Sequence, residues 1–157
     1  MHEALAGLTR MAHKIPDLEQ QYTVSKERSF ARMASNPPVY PETAALLQSL
    51  PEYKIGLVTS ASRSIVEPVL EAAGILRVFQ ALVFGGDVAR HKPAPDAYLL
   101  AGRRLGANRI VVFEDTDAGI ESANAAGFDA VRVTDCRTLA ALVRGTLRPR
   151  ELGAGEK

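Results

Sequence analysis

Four short apolar segments, each followed by a helical pattern, constrain the fold of this chain most strongly. The segments are Ile55–Val58, Ala81–Phe84, Ile110–Phe113 and Ala130–Val133. Strands that alternate with helices in this way predict a parallel sheet built from right-handed crossovers. The first segment, Ile55–Val58, shows no alternation of apolar and polar residues. We therefore expect it to be buried on both faces of the sheet.

The beginning and the end of the chain have different patterns from the middle. Residues 1–36 contain no convincing strand and stop at a proline-rich break, so they are predicted to be a helical fragment, part of a lid or cap. Residues 37–144 form the predicted α/β core. Residues 145–157 carry Gly, Pro and charges with little apolar content, and are expected to be a loose tail.

Composition limits the partners that this chain can have. The net charge is +1, which gives no electrostatic argument for nucleic acid or membrane binding. The apolar runs are too short to span a bilayer, and the N-terminal residues lack the pattern of a signal peptide. Cys136 is the only cysteine, so no internal disulfide forms. We expect a cytoplasmic protein that binds neither nucleic acid nor membrane.

Polar residues follow the apolar segments at the point where open α/β sheets collect ligand-binding groups. Thr59 and Ser60 follow the first segment, and hydroxyl and backbone N–H groups between a strand and a helix can bind phosphate. The same two residues also suit a simple turn that caps the next helix. Lys92 lies in a proline-bounded turn, where its charge can meet a phosphoryl oxygen. A single lysine is more often solvated, so the pattern has to be judged as a whole.

The strongest local signal is the acidic run that follows the third apolar segment. Glu114, Asp115 and Asp117 are three carboxylates within four residues, and they repel one another unless a cation or a helix N-terminus compensates. Asp117 is predicted to cap the helix that begins near Ala118. Glu114 and Asp115 are the candidate metal ligands, because Mg²⁺ takes one or two carboxylates and keeps several waters.

Together, these signals resemble the motifs of the haloacid dehalogenase (HAD) superfamily of phosphatases and phosphomutases. Thr59 matches the hydroxyl motif of the family, Lys92 its lysine motif, and Glu114 with Asp115 its acidic motif. The resemblance covers roughly residues 38–135, most of one α/β domain in size.

Two longer stretches, His91–Leu100 and Val111–Gly127, look most like the branch that includes beta-phosphoglucomutase and small sugar-phosphate phosphatases. The resemblance implies a Mg²⁺-dependent enzyme acting on a small phosphorylated metabolite such as a sugar phosphate. It implies further that Thr59, Ser60 and Lys92 bind the phosphate, with Thr59 and Lys92 serving catalysis. Asp115 and Glu114 would bind the metal.

One part of the family pattern is missing. The reaction of the family begins at an Asp-x-Asp motif on the opening strand, where the first Asp becomes aspartyl phosphate and the second acts as acid and base. The Asp-x-Asp of this chain, Asp115-Thr116-Asp117, follows the lysine motif, where the acidic motif belongs. No residue is therefore assigned as the nucleophile, and we expect the chain alone to be inactive, with its Mg²⁺ site weakened or lost.

The missing motif also has a structural consequence. By the resemblance, the opening strand would lie in the middle of the sheet, between the strands that end at Val58 and Phe113. Its removal leaves two rows of unpaired backbone groups, which promotes self-association. The predicted fold is thus an incomplete Rossmann-like parallel sheet, with residues 1–36 as the surviving part of a helical cap.

Several explanations of the missing strand remain open: a truncated gene model, an alternative start, or a fragment. The alternative to an enzyme is a pseudoenzyme, or a fragment that acts as a phosphate- and metal-binding or protein-interaction module. A receiver or nucleotide-binding module fits less well, because no glycine-rich phosphate loop occurs and the segment around Lys92 favours the phosphatase family. The sequence leaves open the substrate, the oligomeric state, and the choice between phosphatase and mutase.

Overall fold

A computed structural model describes residues 36–147 of this chain. By its contacts the chain divides after Pro38. The predicted cap remnant, residues 1–36, lies outside the described residues apart from Asn36, and so do residues 148–157 of the predicted tail.

Helices and strands alternate through the described residues. The helices are α1 (Pro41–Gln48), α2 (Arg63–Ala72), α3 (Asp96–Leu105), α4 (Asp117–Ala125) and α5 (Leu139–Thr146). The strands are β1 (Ile55–Val58), β2 (Phe79–Val83), β3 (Val111–Glu114) and β4 (Asp129–Arg132). All four predicted strands are present, each within two residues of its expected start. None of the described helices is long and apolar enough to cross a membrane.

The strands form two separate parallel pairs. β1 pairs with β2, and β3 pairs with β4. The two strands of each pair are connected by a helical crossover, which is α2 in the first pair and α4 in the second. These parallel pairs confirm the predicted α/β class. Within the described residues no strand pairs with the second edge of β1 or of β3, in keeping with an incomplete core.

Helix α3 connects the two strand pairs through the core. Its Ala97 and Ala101 are buried against Val83 of β2, whereas Tyr98 is buried against Val112 of β3. Val58, the last residue of β1, packs against both of these clusters. The two pairs therefore share apolar packing around α3 although no hydrogen bonds join their strands.

One local expectation is wrong. No residue of β1 is fully buried, although burial on both faces was expected. A strand with one hydrogen-bonded neighbour lacks cover along its other edge, which accounts for this exposure. Helix α5 continues to Thr146, two residues past the predicted start of the tail, and its Val143 is buried.

Candidate active site

The loop that carries Lys92 is fixed to two helices. A turn is closed by the Ala94 N–H, which donates to the carbonyl of His91 at 2.9 Å. Ser122 of α4, which is fully buried, donates its hydroxyl to the carbonyl of Ala94 at 2.6 Å. The Arg90 guanidinium binds the carboxylate of Asp96, the first residue of α3, at 3.0 and 2.9 Å. The loop therefore has a defined position beside the start of α3 and the middle of α4.

The Lys92 side chain forms a buried ion pair with Glu114 at the end of β3. The side chains of Lys92 and Glu114 are 12% and 8% exposed, and the Lys92 ammonium donates to Oε1 of Glu114. Tyr98 of α3 donates its hydroxyl to the same Oε1 at 2.9 Å. Lys92 also donates to the Tyr98 oxygen at 3.3 Å. Three side chains from the loop, α3 and β3 thus meet at one point.

The second oxygen of Glu114 organises the start of α4. Its Oε2 accepts the N–H of Asp115 at 2.9 Å, and the N–H and hydroxyl of Thr116, both at 3.0 Å. The Thr116 oxygen in turn accepts the N–H of Gly119 at 3.1 Å. Thr116, and not Asp117 as expected, therefore caps α4. The reason is that the Asp117 side chain is 98% exposed and turns to Arg132 instead.

These contacts set the protonation states of Glu114 and Tyr98. Burial by itself raises the pKa of Glu114, but the hydrogen bond from Lys92, the N–H of Thr116 and the Lys92 charge outweigh it and hold the pKa at about 2. Burial, followed by the charge of Glu114, raises the pKa of Tyr98 well above its usual range. At neutral pH Glu114 is therefore ionised, and Tyr98 keeps its proton for donation.

Asp115 differs from Glu114 in having a free carboxylate. Glu114 uses both oxygens on protein donors, whereas the exposed carboxylate of Asp115 takes no hydrogen bond or ion pair from the part of the chain that the structure describes. Its backbone carbonyl is held by Arg132 of β4 at 2.9 Å. Residues 36–147 contain no cluster of three His, Cys, Asp or Glu side chains that would hold a metal by themselves. One free carboxylate meets the lower limit of what proteins supply to Mg²⁺.

Thr59 and Ser60 lie in the turn after β1. The Thr59 N–H continues the ladder to the carbonyl of Val83 at 2.9 Å, and its hydroxyl accepts the Ala61 N–H at 3.1 Å. Ser60 is exposed, and its carbonyl lies against Gly85, where a side chain would overlap it.

Among residues 36–147, no hydrogen bond or ion pair joins Thr59 or Ser60 to Lys92 or Asp115. The structure therefore brings together Lys92, Glu114 and the backbone of Asp115. Thr59 and Ser60 stay apart from this group, after the end of β1. The last residue of that strand, Val58, packs against the cluster that contains Tyr98.

Two residues of the site were not identified from the sequence. Tyr98 reads as an ordinary core residue on the apolar side of α3, and its hydroxyl gives no signal in the pattern. Arg132 is the last residue of β4, and it is 17 residues from its partner Asp115. Only the parallel pairing of β3 with β4 brings the two together.

Comparison with known proteins identifies a family and several relatives. The family model for haloacid dehalogenase-like hydrolases matches residues 4–127. The fructose-1-phosphate phosphatase YqaB of Escherichia coli is 46% identical over 77 residues, which are 48% of this chain and 41% of that protein. The phosphorylated carbohydrates phosphatase of Thermotoga maritima is 32% identical over 108 residues, 68% of this chain and 50% of that protein.

A solved structure shares the fold, at an identity close to that of the Thermotoga maritima phosphatase. It is a mutant of CbbY from Rhodobacter sphaeroides in complex with xylulose-(1,5)bisphosphate, with a TM-score of 0.61 and 30% identity. The match covers 69% of this chain and 52% of CbbY. The chain thus spans about half of the length of these relatives, or less.

Proposed function

The chain belongs to the haloacid dehalogenase-like hydrolase family, and we propose that the protein it forms, or is part of, transfers the phosphoryl group of a small phosphorylated sugar with the help of Mg²⁺. The observation that carries this proposal is the buried Lys92–Glu114 pair beside the free carboxylate of Asp115. The relatives named as phosphatases of fructose 1-phosphate and of phosphorylated carbohydrates support the substrate class. Both phosphatase and phosphomutase activity are consistent with this site.

Each site residue that was identified from the sequence has a proposed role. Lys92 places a positive charge against an oxygen of the transferred phosphoryl group. Thr59 and Ser60 bind the same group through hydroxyl and backbone N–H groups. Asp115 binds Mg²⁺, which when bound supplies further positive charge for the phosphoryl oxygens. Glu114, expected to be the second metal ligand, has both oxygens occupied, so we assign it to holding Lys92 and the start of α4.

We propose further that these 157 residues do not turn over a phosphate ester by themselves. Covalent transfer needs an attacking carboxylate, and the Glu114 oxygens are taken up by donors while Asp115 is assigned to the metal. A strand bearing an Asp-x-Asp motif along the unpaired edges of β1 and β3 would supply the attacking group. The two separate strand pairs support this part of the proposal.

The test measures Mg²⁺-dependent hydrolysis of fructose 1-phosphate and of p-nitrophenyl phosphate. We expect no turnover by the chain alone, and turnover once an N-terminal segment carrying Asp-x-Asp-Gly-Thr is fused to it. That turnover should be lost in Asp115→Asn and Lys92→Met and kept in the control Asp117→Asn, whose side chain is 98% exposed. Turnover by the chain alone that Asp115→Ala abolishes would contradict the proposed inactivity.

The second candidate is a module that binds phosphate and metal, or another strand, without catalysis. The unpaired edges of β1 and β3 favour it, because edge strands recruit further strands. If the chain with the fused N-terminal segment binds inorganic phosphate and Mg²⁺ but turns over neither ester, the non-catalytic module is supported. Sedimentation of the chain alone would show whether the edges also lead to self-association.

A further inference from the structure

The Lys92 ammonium has three N–H donors, and contacts among residues 36–147 account for two of them. One donates to Oε1 of Glu114 and one to the hydroxyl oxygen of Tyr98 at 3.3 Å. The Tyr98 hydroxyl donates in turn to the same Oε1 at 2.9 Å, which closes a triangle of contacts. Two fixed partners define the orientation of an ammonium group, so the direction of its third N–H is defined as well.

Tyr98 is more rigid than the lysine that it contacts. It is 5% exposed, and its ring packs in α3 against Val112 of β3 and Ala123 of α4. Lys92, in contrast, carries its charge on a flexible four-carbon chain. The position of the Tyr98 oxygen is therefore set by the core, whereas the position of the ammonium depends on its partners.

Resting on the phosphate-binding role of Lys92 given above, we propose that Tyr98 is a positioning residue that directs the free N–H of Lys92 toward a phosphoryl oxygen. With Glu114 as its only partner, the ammonium would rotate about a single contact and present no fixed donor. The hydroxyl of Tyr98 adds the second contact that removes this rotation. The aromatic ring also lies under the ammonium, with its centroid 4.9 Å from Nζ.

The experiment uses the full chain, with lysine ammonium groups labelled with ¹⁵N, and compares Tyr98→Phe with the matched control Tyr40→Phe. Tyr40 is 45% exposed, so its variant loses a hydroxyl away from the core. The first readout is the hydrogen exchange of the Lys92 ammonium, whose signal is assigned by its loss in Lys92→Arg. The second readout is the affinity for inorganic phosphate.

In Tyr98→Phe we expect faster exchange at Lys92 and a phosphate affinity about three- to tenfold lower, which is the size of one lost hydrogen bond. Tyr40→Phe should match the wild type in both readouts. A folded Tyr98→Phe variant with the exchange rate and the phosphate affinity of the wild type would overturn the proposal. A purely structural role for Tyr98 would lower stability and leave the Lys92 signal unchanged.

One outcome separates this inference from the proposed function. If the wild type binds no phosphate, but the Lys92 ammonium exchanges faster in Tyr98→Phe than in the wild type, the positioning role is supported and the phosphate pocket is overturned. If Tyr98→Phe does not fold, the Tyr98 hydroxyl proton is measured in the wild type instead. A slowly exchanging Tyr98 hydroxyl proton with a nuclear Overhauser contact to Lys92 supports the proposal, and a rapidly exchanging one overturns it.

Discussion

Gly119 lies directly against the carboxylate of Glu114, so that a Cβ atom on residue 119 would overlap the carboxyl group. This contact lets the first turn of α4 close over Glu114 while the Gly119 N–H reaches the capping oxygen of Thr116. The requirement for glycine is one of space, since no positive φ occurs at this position.

Gly119→Ala should destabilise the chain by about 1–3 kcal/mol, the usual cost of forcing an extra methyl group into a packed site. The carboxylate of Glu114 would have to move, which would also disturb its pair with Lys92. The free energy of unfolding, measured in urea, checks this. Gly145→Ala is the control, because Gly145 lies in α5 with open space around it, and alanine there should stabilise by about 0.5–1 kcal/mol.

Lys92→Met should cost about 3–5 kcal/mol, because it leaves the buried carboxylate of Glu114 without its cation. The double variant Lys92→Met/Glu114→Gln should be more stable than Lys92→Met, since the uncompensated charge is then gone. For comparison, Glu67→Gln breaks the exposed pair with Arg63 in α2 and should cost only about 0.3–0.5 kcal/mol. Equal losses from the two pairs would contradict the burial of the Lys92 pair.

The lowered pKa of Glu114 makes the chain less stable in acid. Its pKa is about 2 in the folded state against 4.5 as its ordinary value, so the folded state binds fewer protons than the unfolded state in this range. The stabilisation is therefore complete above about pH 4.5 and is lost as the pH falls from there toward 2. Urea unfolding at several pH values should show wild type and Glu114→Gln differing most near neutral pH and converging in acid. If the difference in the free energy of unfolding between wild type and Glu114→Gln grows as the pH falls below 4.5, this prediction is wrong.

Ser122→Ala should cost about 1–3 kcal/mol, because it leaves the carbonyl of Ala94 without its buried donor. The loss should also loosen the loop that carries Lys92. Hydrogen exchange of the Ala94 N–H, which closes the turn to His91, reports that loosening directly. Thr146→Ala is the control: its exposed hydroxyl bonds the carbonyl of Leu142 within α5, and its loss should stay within about 0.5 kcal/mol.

Local patterns in the sequence were sufficient for most of the fold. The four apolar segments predicted the four strands, and Gly106 with its φ of +55° ends α3, as glycine commonly does at the end of a helix. The errors lie where a neighbour in space competes with a neighbour in sequence. Asp117 was expected to cap α4, but Glu114 orients Thr116 for that role and Arg132 draws Asp117 away.

The sequence by itself determined the alternation of strands and helices and the position of polar groups at strand ends, because both follow from residues close together along the chain. The tertiary structure decided what those groups do. Lys92 and Glu114 are 22 residues apart and meet only because α3 packs between the strand pairs. That packing, which no local pattern encodes, occupies Oε1 of Glu114 with donors from Lys92 and Tyr98. Oε2 is occupied by the adjacent Asp115 and Thr116, and the carboxylate of Asp115 has no hydrogen bond or ion pair from residues 36–147.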